Sequence, residues 1–317
     1  MNNIRKILIW GTEKLNDQKI NSAFLDAELL LSLVIKKPRE YLYTYPEFKL
    51  NKKQIKNYKK LILQRATHYP LAYIFGYKEF YGLKFKVNQH VLIPRPETET
   101  LVEATLRVTR LAEASAKRVA KWGDPEGRLR LAEIGTGSGC ISIALIKNGI
   151  KKIIATDISS QALKIAKANA KSQQVLSKIQ FIRGNLLTPL KNKQIEIIIA
   201  NLPYLDTNYK YLIKNSDQLS LRYEPIEALQ GGKNGLYYYQ KLFQQASELK
   251  YQPKYILLEL DPQQIKPLTK YIQKIYPQAK SPQLKNKCGD KIQIKKDHVI
   301  QHGKPSGLDR VIIVKLK

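Results

Sequence analysis

The spacing of apolar and polar positions divides the chain into regions of different period. Up to about residue 75 the apolar residues recur at helical intervals. In "SAFLDAELLLSLVI", Phe24, Leu25, Leu29 and Leu33 lie three or four positions apart, which puts them on one face of an amphipathic helix. "QIKNYKKLILQRAT" supplies another helix, and Pro38 and Pro46 punctuate the stretch between them. These residues are expected to form a small helical domain with its aromatics in the core. From Glu79 the pattern changes. "EFYGLKFKVNQHVLI" is rich in aromatic and β-branched residues around Asn88-Gln89-His90, and a β-hairpin turning there is expected. Pro96 then opens a helix at its first turn, where Glu97 and Glu99 suit the positive end of the dipole.

Beyond residue 130 short apolar runs alternate with helical patterns. Strands are expected at "LRLAEI", "KKIIAT", "KIQFI", "IEIIIA", "YILLEL" and "VIIVKL", with a helix such as "SSQALKIAKANAKSQQ" between the early ones. That alternation implies a mostly parallel sheet covered on both faces, a doubly wound, Rossmann-like α/β fold. The chain thus divides into a helical domain (1–78), a β-hairpin linker (79–95) and an α/β domain (96–317). Within the last, "RVTRLAEASAKRVAKWGDPEGRLR" uses Ala and Arg where the rest of the chain uses Ile and Lys. Nothing in the residue chemistry explains the shift, and Trp122 to Gly127 reads as a loop.

Composition narrows the partners more than the chemistry. At 317 residues the chain can bury a sizeable core, and 55 Lys plus Arg against 26 Asp plus Glu give a formal charge of +29. Such an excess favours anionic neighbours, with weak nucleic-acid or ribosome affinity as its simplest consequence, although scattered lysines as in "NKKQIKNYKK" also serve solvation alone. The two cysteines, Cys140 and Cys288, form no CxxC and have no nearby His pair, so neither a disulfide framework nor a metal site is indicated. The apolar run in "MNNIRKILIWGTEKL" is broken at Gly11 and is too short for a signal peptide, and no stretch approaches a membrane span. A cytoplasmic protein in a reducing compartment is expected.

Four stretches carry candidate chemistry. "LAEIGTGSGCISIALI" runs from a strand through Gly135-Thr136-Gly137-Ser138-Gly139 into a helix, so its backbone can approach a ligand closely beside a helix N-terminus. Cys140 stands where a dinucleotide fingerprint needs its last glycine, and no Gly-Lys-Ser/Thr follows, which disfavours nicotinamide, flavin and P-loop readings. Asp157 ends the next strand. By itself it reads equally as a helix cap or as an acceptor for both ribose hydroxyls of a nucleoside; with the glycine turn, ribose binding is the stronger reading. Asn185 and Leu186, after the third strand, offer a polar and an apolar group for an adenine ring. In "IEIIIANLPYLD" an unbroken apolar run meets Asn201-Leu202-Pro203-Tyr204. A turn explains the Asn and Pro but leaves Tyr204 without a reason.

Taken in order, these segments resemble the class I S-adenosylmethionine-dependent methyltransferases, and more narrowly the HemK/PrmC family, which methylates a glutamine side chain in peptide chain release factors. "EFYGLKFKVNQHVLIPRPETETLVE" is similar to that family's linker and I-P-R-P-E-T-E signature, "EIGTGSGCISIAL" to its cofactor loop, "TDISSQALKIAKANA" to its ribose-acid segment, and "LRYEPIEALQGGKNGL" to the stretch after its catalytic loop. The resemblance covers nearly the whole chain and implies that the N-terminal helices recognise the release factor. It further implies that Glu133, Gly135, Thr136, Gly137, Ser138, Gly139, Asp157, Asn185, Leu186 and Asn201 hold S-adenosylmethionine. Asn201 to Tyr204 match the family's Asn-Pro-Pro-Tyr loop, with Leu202 in place of the first proline. On that match the Asn201 side-chain oxygen and the Leu202 carbonyl accept the two amide hydrogens and turn the nitrogen lone pair toward the methyl group, Pro203 fixes the turn, and Tyr204 stacks on the amide. Asn185 and Glu133 stand where the family commonly has Asp. Arg95 and Glu97 read either as supports of the site or as a structural ion pair.

Other readings remain. An adenine-N6 nucleic-acid methyltransferase uses the same four-residue loop and would suit the charge, but no base-reading module is recognisable. A ribosomal-protein glutamine methyltransferase is a nearer relative, yet "IPRPETE" and "RYEP" fit the release-factor branch better. An inactive ribosome- or RNA-binding module has no need of a glycine loop, a ribose acid and the Asn-Tyr loop together.

Overall fold

The computed structural model describes residues 3–119, 130–208, 216–276, 294–301 and 304–316. The predicted loop at Trp122 to Gly127 and Cys288 fall outside them. The chain separates into two compact units, one comprising Met1–Gly76 with the segment ending at Glu224, the other Tyr77–Tyr209 with Pro225–Lys317.

The N-terminal unit contains α1 (Ile4–Asn16), α2 (Ala23–Ile35), α3 (Arg39–Thr44), α4 (Lys52–Ala66) and α5 (Leu71–Phe75). Asn51 and Gln54 close α4 with a reciprocal capping box, so two of its unpaired N–H groups are satisfied locally. Gly11 does not break α1. It lies under the Tyr58 ring, where a Cβ would come within 2.9 Å of Cζ, so the glycine permits close helix packing. The face predicted for α2 is the exposed one: Phe24, Leu25 and Leu33 are 52%, 41% and 42% exposed, whereas Ala27, Leu30 and Leu31 are buried. This helix is apolar almost all round, so periodicity does not select its inner face. Ion pairs do: Arg65 Nε meets Asp26 Oδ2 at 2.7 Å, and Arg39 Nη2 meets the fully buried Glu28 at 2.6 Å. The aromatics divide likewise, with Tyr58 buried and Tyr43, Tyr45 and Phe48 exposed.

The second unit begins with a hairpin, β1 (Tyr77–Phe80) and β2 (Leu83–Lys86). Its turn is at Tyr81-Gly82, not at Asn88 to His90. Both turn residues have positive φ, 51° and 69°, the condition for the two-residue turn that matches strand twist. Asn169 fastens this hairpin. Its Oδ1 accepts from Lys86 N at 2.8 Å, while its Nδ2 donates to Lys86 O at 3.0 Å and Ser138 O at 2.8 Å.

After α6 (Glu99–Val119) come β3 (Leu131–Ile134), α7 (Cys140–Lys147), β4 (Ile153–Asp157), α8 (Ser160–Ser172), β5 (Ile179–Arg183) and β6 (Ile197–Ala200). They are followed by α9 (Ser216–Leu219), α10 (Tyr237–Ser247), β7 (Tyr255–Glu259), α11 (Pro262–Ile275), β8 (Ile294–Gln301) and β9 (Lys304–Lys315). The sheet order is β5-β4-β3-β6-β7-β9-β8. Strands β5 to β7 in that order are parallel, and β9 enters antiparallel to both β7 and β8. All four residues of β3 and of β6 are buried, as strands covered on both faces require. Alternate residues feed two cores. Ile197 and Ile199 join Leu101, Ile141 and Leu145 on one side, and Ile198 and Ala200 join Tyr239, Phe243 and Leu268 on the other. Strand β8 was not expected. Its lysine-rich sequence reads as a solvated segment, and the strand pairs at the sheet edge.

Replacing Asn169 by Ala removes three hydrogen bonds from a residue that is 1% exposed. A loss of about 2–4 kcal/mol is expected from the unpaired backbone groups, read as a lower urea midpoint with an unchanged slope.

Candidate active site

The sheet order reverses between β3 and β6, and in an open parallel sheet a crevice forms beyond the carboxyl ends of such strands. Here it is a cavity of about 560 Å³. Glu133, Gly135, Thr136, Gly137, Ser138, Asp157, Asn185, Leu186, Asn201, Leu202 and Pro203 all line it. Two of the residues singled out in the sequence do not. Gly139 faces α8, where a Cβ would meet the Ala166 Cβ at 3.1 Å, so its absent side chain lets the two helices approach. Tyr204 packs against the core around α10 and α11 instead of lining the cavity, and burial raises its phenol pKa.

The glycine loop is built by backbone bonds. The N–H groups of Gly135 and Thr136 both donate to Thr156 O at 2.9 Å, and Gly135 takes φ of 75°, which a side chain would strain. Asp157 locks the loop from the next strand: its Oδ2 accepts from Gly137 N and its Oδ1 from Ser159 N, each at 2.8 Å. The cap of α8 is Ser159, whose hydroxyl accepts from Ala162 N, so the alternative reading of Asp157 as the cap does not hold. Burial raises the Asp157 pKa, and those backbone bonds oppose the rise.

Glu133 sits beneath the loop, 1% exposed. Its Oε2 accepts from Thr136 Oγ1 at 2.7 Å, from Ser142 N at 3.1 Å and from the Ser142 hydroxyl. Its Oε1 has no partner. Burial pushes the carboxyl up to about 7 against the pull of the Ser142 and Thr136 bonds. A buried acceptor facing a cavity calls for a donor, and a cation is the most effective one.

The loop after β6 is braced from behind. Gln264 Nε2 donates to Tyr204 O at 2.7 Å and to Asn234 O at 3.0 Å. The Tyr239 hydroxyl lies 3.0 Å from Leu202 O and also contacts Glu259 O. Gly231 and Gly235 press against the same backbone; a Cβ at Gly235 would lie 2.2 Å from Gln264 Nε2 and even closer to Tyr204 O. Asn201 Nδ2 donates to Thr98 Oγ1 at 3.1 Å. Arg95 lines the cavity, and the charges of Arg95 and Glu97 both act on Tyr204. Thr98, Tyr239, Glu259 and Gln264 were not singled out in the sequence. Only the acid interrupting "YILLEL" gave a signal, since a charged residue ending a buried strand needs a reason.

A seven-stranded sheet with one antiparallel strand, a glycine loop after the first strand of the parallel set and an acid ending the second define a class I S-adenosylmethionine-dependent methyltransferase fold. The hMettl16 catalytic domain solved with the MAT2A 3'UTR hairpin 6 has that fold in common, with a TM-score of 0.52 at 15% identity over 84% of this chain and 83% of that one. Residues 6–76 match the model of the PrmC N-terminal domain, and residues 121–204 that of ribosomal protein L11 methyltransferase (PrmA). A release factor glutamine methyltransferase of Dictyoglomus turgidum is 38% identical over 76% of this chain and 79% of its own length. One from Coxiella burnetii is 40% identical over 67% and 69%. The chain belongs to this HemK/PrmC family of release factor glutamine methyltransferases. It also matches a bifunctional methyltransferase of Rickettsia felis at 36% identity over 77% of its length, but spans only 49% of that relative, about half.

The cofactor of this fold is S-adenosylmethionine, and the residues present fit it. The unpartnered Glu133 Oε1 suits an ammonium, Asp157 retains lone pairs for ribose hydroxyls, and Leu186 with Asn185 offers an apolar and a polar edge to adenine.

Two outcomes are expected. Gly235→Ala forces the Tyr204 carbonyl aside, costing about 1–3 kcal/mol in thermal unfolding and displacing the Asn201 loop. At Glu133 the folded pKa lies above the unfolded one, so its contribution to stability is greatest below the unfolded value and declines as pH rises toward 7. An ammonium favours the ionised form, so S-adenosylmethionine affinity rises over the same interval and binding releases a proton. Calorimetry at about pH 6 in buffers of contrasting ionisation enthalpy reads that proton in the wild type and not in Glu133→Gln.

Proposed function

We propose that the chain transfers the methyl group of S-adenosylmethionine to the side-chain amide nitrogen of the glutamine in the Gly-Gly-Gln motif of a peptide chain release factor. The observation that carries this reading is the placement of Asn201 and Leu202 on the same cavity as the glycine loop and Asp157. Membership of the family supports the substrate. The PrmA likeness spans the glycine loop to the Asn201 loop, so it bears on methyl transfer and not on which protein or group is modified.

When bound, S-adenosylmethionine supplies an electrophilic methyl group on a positively charged sulfur. The protein's task is the nucleophile. An amide nitrogen is weak because its lone pair is delocalised into the carbonyl. With its Nδ2 donating to Thr98, Asn201 retains Oδ1 as an acceptor for one amide hydrogen. Leu202 O has two lone pairs, and beside the Tyr239 hydroxyl it keeps room for the second hydrogen. Two acceptors fix the amide plane and aim the nitrogen at the methyl group, a gain in orientation that needs no strong base. Leu202 serves as well as proline here because its main chain provides the acceptor. Tyr204 contributes through the core beneath the loop: its ring anchors the turn that presents Asn201.

Incubation with radiolabelled S-adenosylmethionine and the cognate release factor, followed by mass mapping, is expected to find one methyl on the Gly-Gly-Gln glutamine. Label on ribosomal protein or RNA in parallel incubations would overturn the substrate. Asn201→Ala is expected to lower turnover on the order of 100-fold, as loss of one preorganised hydrogen-bonding group does elsewhere, with cofactor affinity retained. Asp157→Ala is expected to weaken cofactor binding in calorimetric titration.

A further inference from the structure

A carboxamide has two ends of nearly equal size and opposite hydrogen-bonding character, so the reading of Asn201 as an acceptor requires that its oxygen, not its nitrogen, face the substrate. Asn201 alone does not decide this. Beside it lies a buried polar relay, of which Thr98 also lines the cavity, that the reaction does not otherwise use. Asn201 Nδ2 donates to Thr98 Oγ1 at 3.1 Å, and Thr98, in the turn Pro96–Thr98, is 3% exposed. The Glu259 carboxylate lies beside both: its Oε2 is buried with no hydrogen-bond partner among the described residues, and the polar side chains of Thr98 and Asn201 both favour its ionised form. Glu259 is 1% exposed and ends β7, whose Leu258 pairs with Ala200 of β6, so Glu259 and Asn201 leave the sheet side by side. Glu259 is not among the cavity's lining residues.

We propose that Thr98 and Glu259 are positioning residues that draw the Asn201 amide nitrogen inward and thereby turn Oδ1 toward the acceptor amide. The reasoning is one of polarity. An ionised carboxylate only accepts, so at the closed end of the relay it demands donors. A Thr98 hydroxyl that donates toward this acceptor keeps its oxygen lone pairs for Asn201 Nδ2–H. The reversed carboxamide would set Oδ1 against these acceptors and leave a buried group unpaired, an arrangement that low dielectric makes costly. Burial raises the Glu259 carboxyl to about 7; Thr98, the nearby Arg310 charge and Asn201 favour its ionised form, and the Glu97 charge opposes it. The family's "PRPETE" segment thus contributes a hydroxyl to the catalytic loop through a turn a hundred residues earlier in the chain.

The inference rests on the proposed use of Asn201 as an acceptor, so two readouts are needed. In methyl transfer to the release factor, Thr98→Val is expected to lower kcat on the order of 10- to 100-fold with cofactor affinity unchanged, as misplacement of a reacting group does. Thr98→Ser, which restores the hydroxyl, is expected to recover most of that loss. Glu259→Gln should lower kcat too, and the double variant with Thr98→Val should be no worse than the more damaged single one, because both act through Asn201. Equal loss in Thr98→Ser and Thr98→Val, or additive losses in the double variant, would overturn the relay. The second readout needs no turnover. The Asn201 side-chain amide resonances, assigned by their loss in Asn201→Ala, should exchange protons slowly in the wild type and in Thr98→Ser, and rapidly in Thr98→Val. Rapid exchange in the wild type would sink the orientation whatever the substrate. Slow exchange in a protein that methylates no release factor would keep the relay and overturn the proposed substrate.

Discussion

Strand β6 has protein on both faces, and its four residues leave no side for water. That burial is the constraint from which the site follows. A strand enclosed in this way carries a polar side chain only where it is paired or faces the site, as Glu133 does in β3. Strand β6 carries none, so the polar group it presents for chemistry comes after the strand ends. Asn201 is the first residue past that limit. Its neighbours at the same rim come from β3, β4 and β7, because parallel register brings the carboxyl ends of those strands level with one another. The glycine loop, Asp157, Asn201 and Glu259 are therefore assembled by one sheet, although they are spread over more than a hundred residues of sequence.

The same burial makes the rim's polar groups expensive unless each is paired. Glu133 has one oxygen satisfied three times and the other without a partner, and because it lines the cavity that oxygen suits a cationic donor. Glu259 is enclosed to the same degree and also has one oxygen without a partner, but it is not among the residues lining the cavity and lies beside Thr98 and Asn201. Two buried carboxyls of similar exposure thus have different work: one faces a ligand, the other sets the direction of a neighbour's hydrogen bonds. Glycines 231 and 235 and Gln264 show the complementary requirement, since a loop that offers backbone acceptors to a substrate must itself be held by groups that do not consume them.

The parallel strands, the glycine loop and Asp157 were legible because each leaves a local trace: an unbroken apolar run, glycines where φ must be positive, an acid closing a strand. The inner face of α2 was not legible. Its apolar residues surround the helix, and the choice between faces was made by Asp26 with Arg65 and Glu28 with Arg39, partners that lie 39 and 11 positions apart. The hairpin turn was misplaced for a similar reason. Asn-Gln-His has turn chemistry, but Tyr81-Gly82 satisfies the tighter demand of two positive φ angles, and a tyrosine gives little sign of that. Strand β8 was hidden by its lysine-rich sequence, which reads as a solvated segment.

By itself the sequence determined the order of the parallel strands, the glycine loop, the acid that closes β4 and the turn after β6, because those features depend on neighbours along the chain. Only the tertiary structure decided that Gly139 serves helix packing, that Tyr204 anchors the turn instead of lining the cavity, and that Thr98 and Glu259 stand beside Asn201. Each of these depends on which atoms fill the space beside a residue, and that is settled by how the helices and strands pack, not by the spacing of residues in the chain.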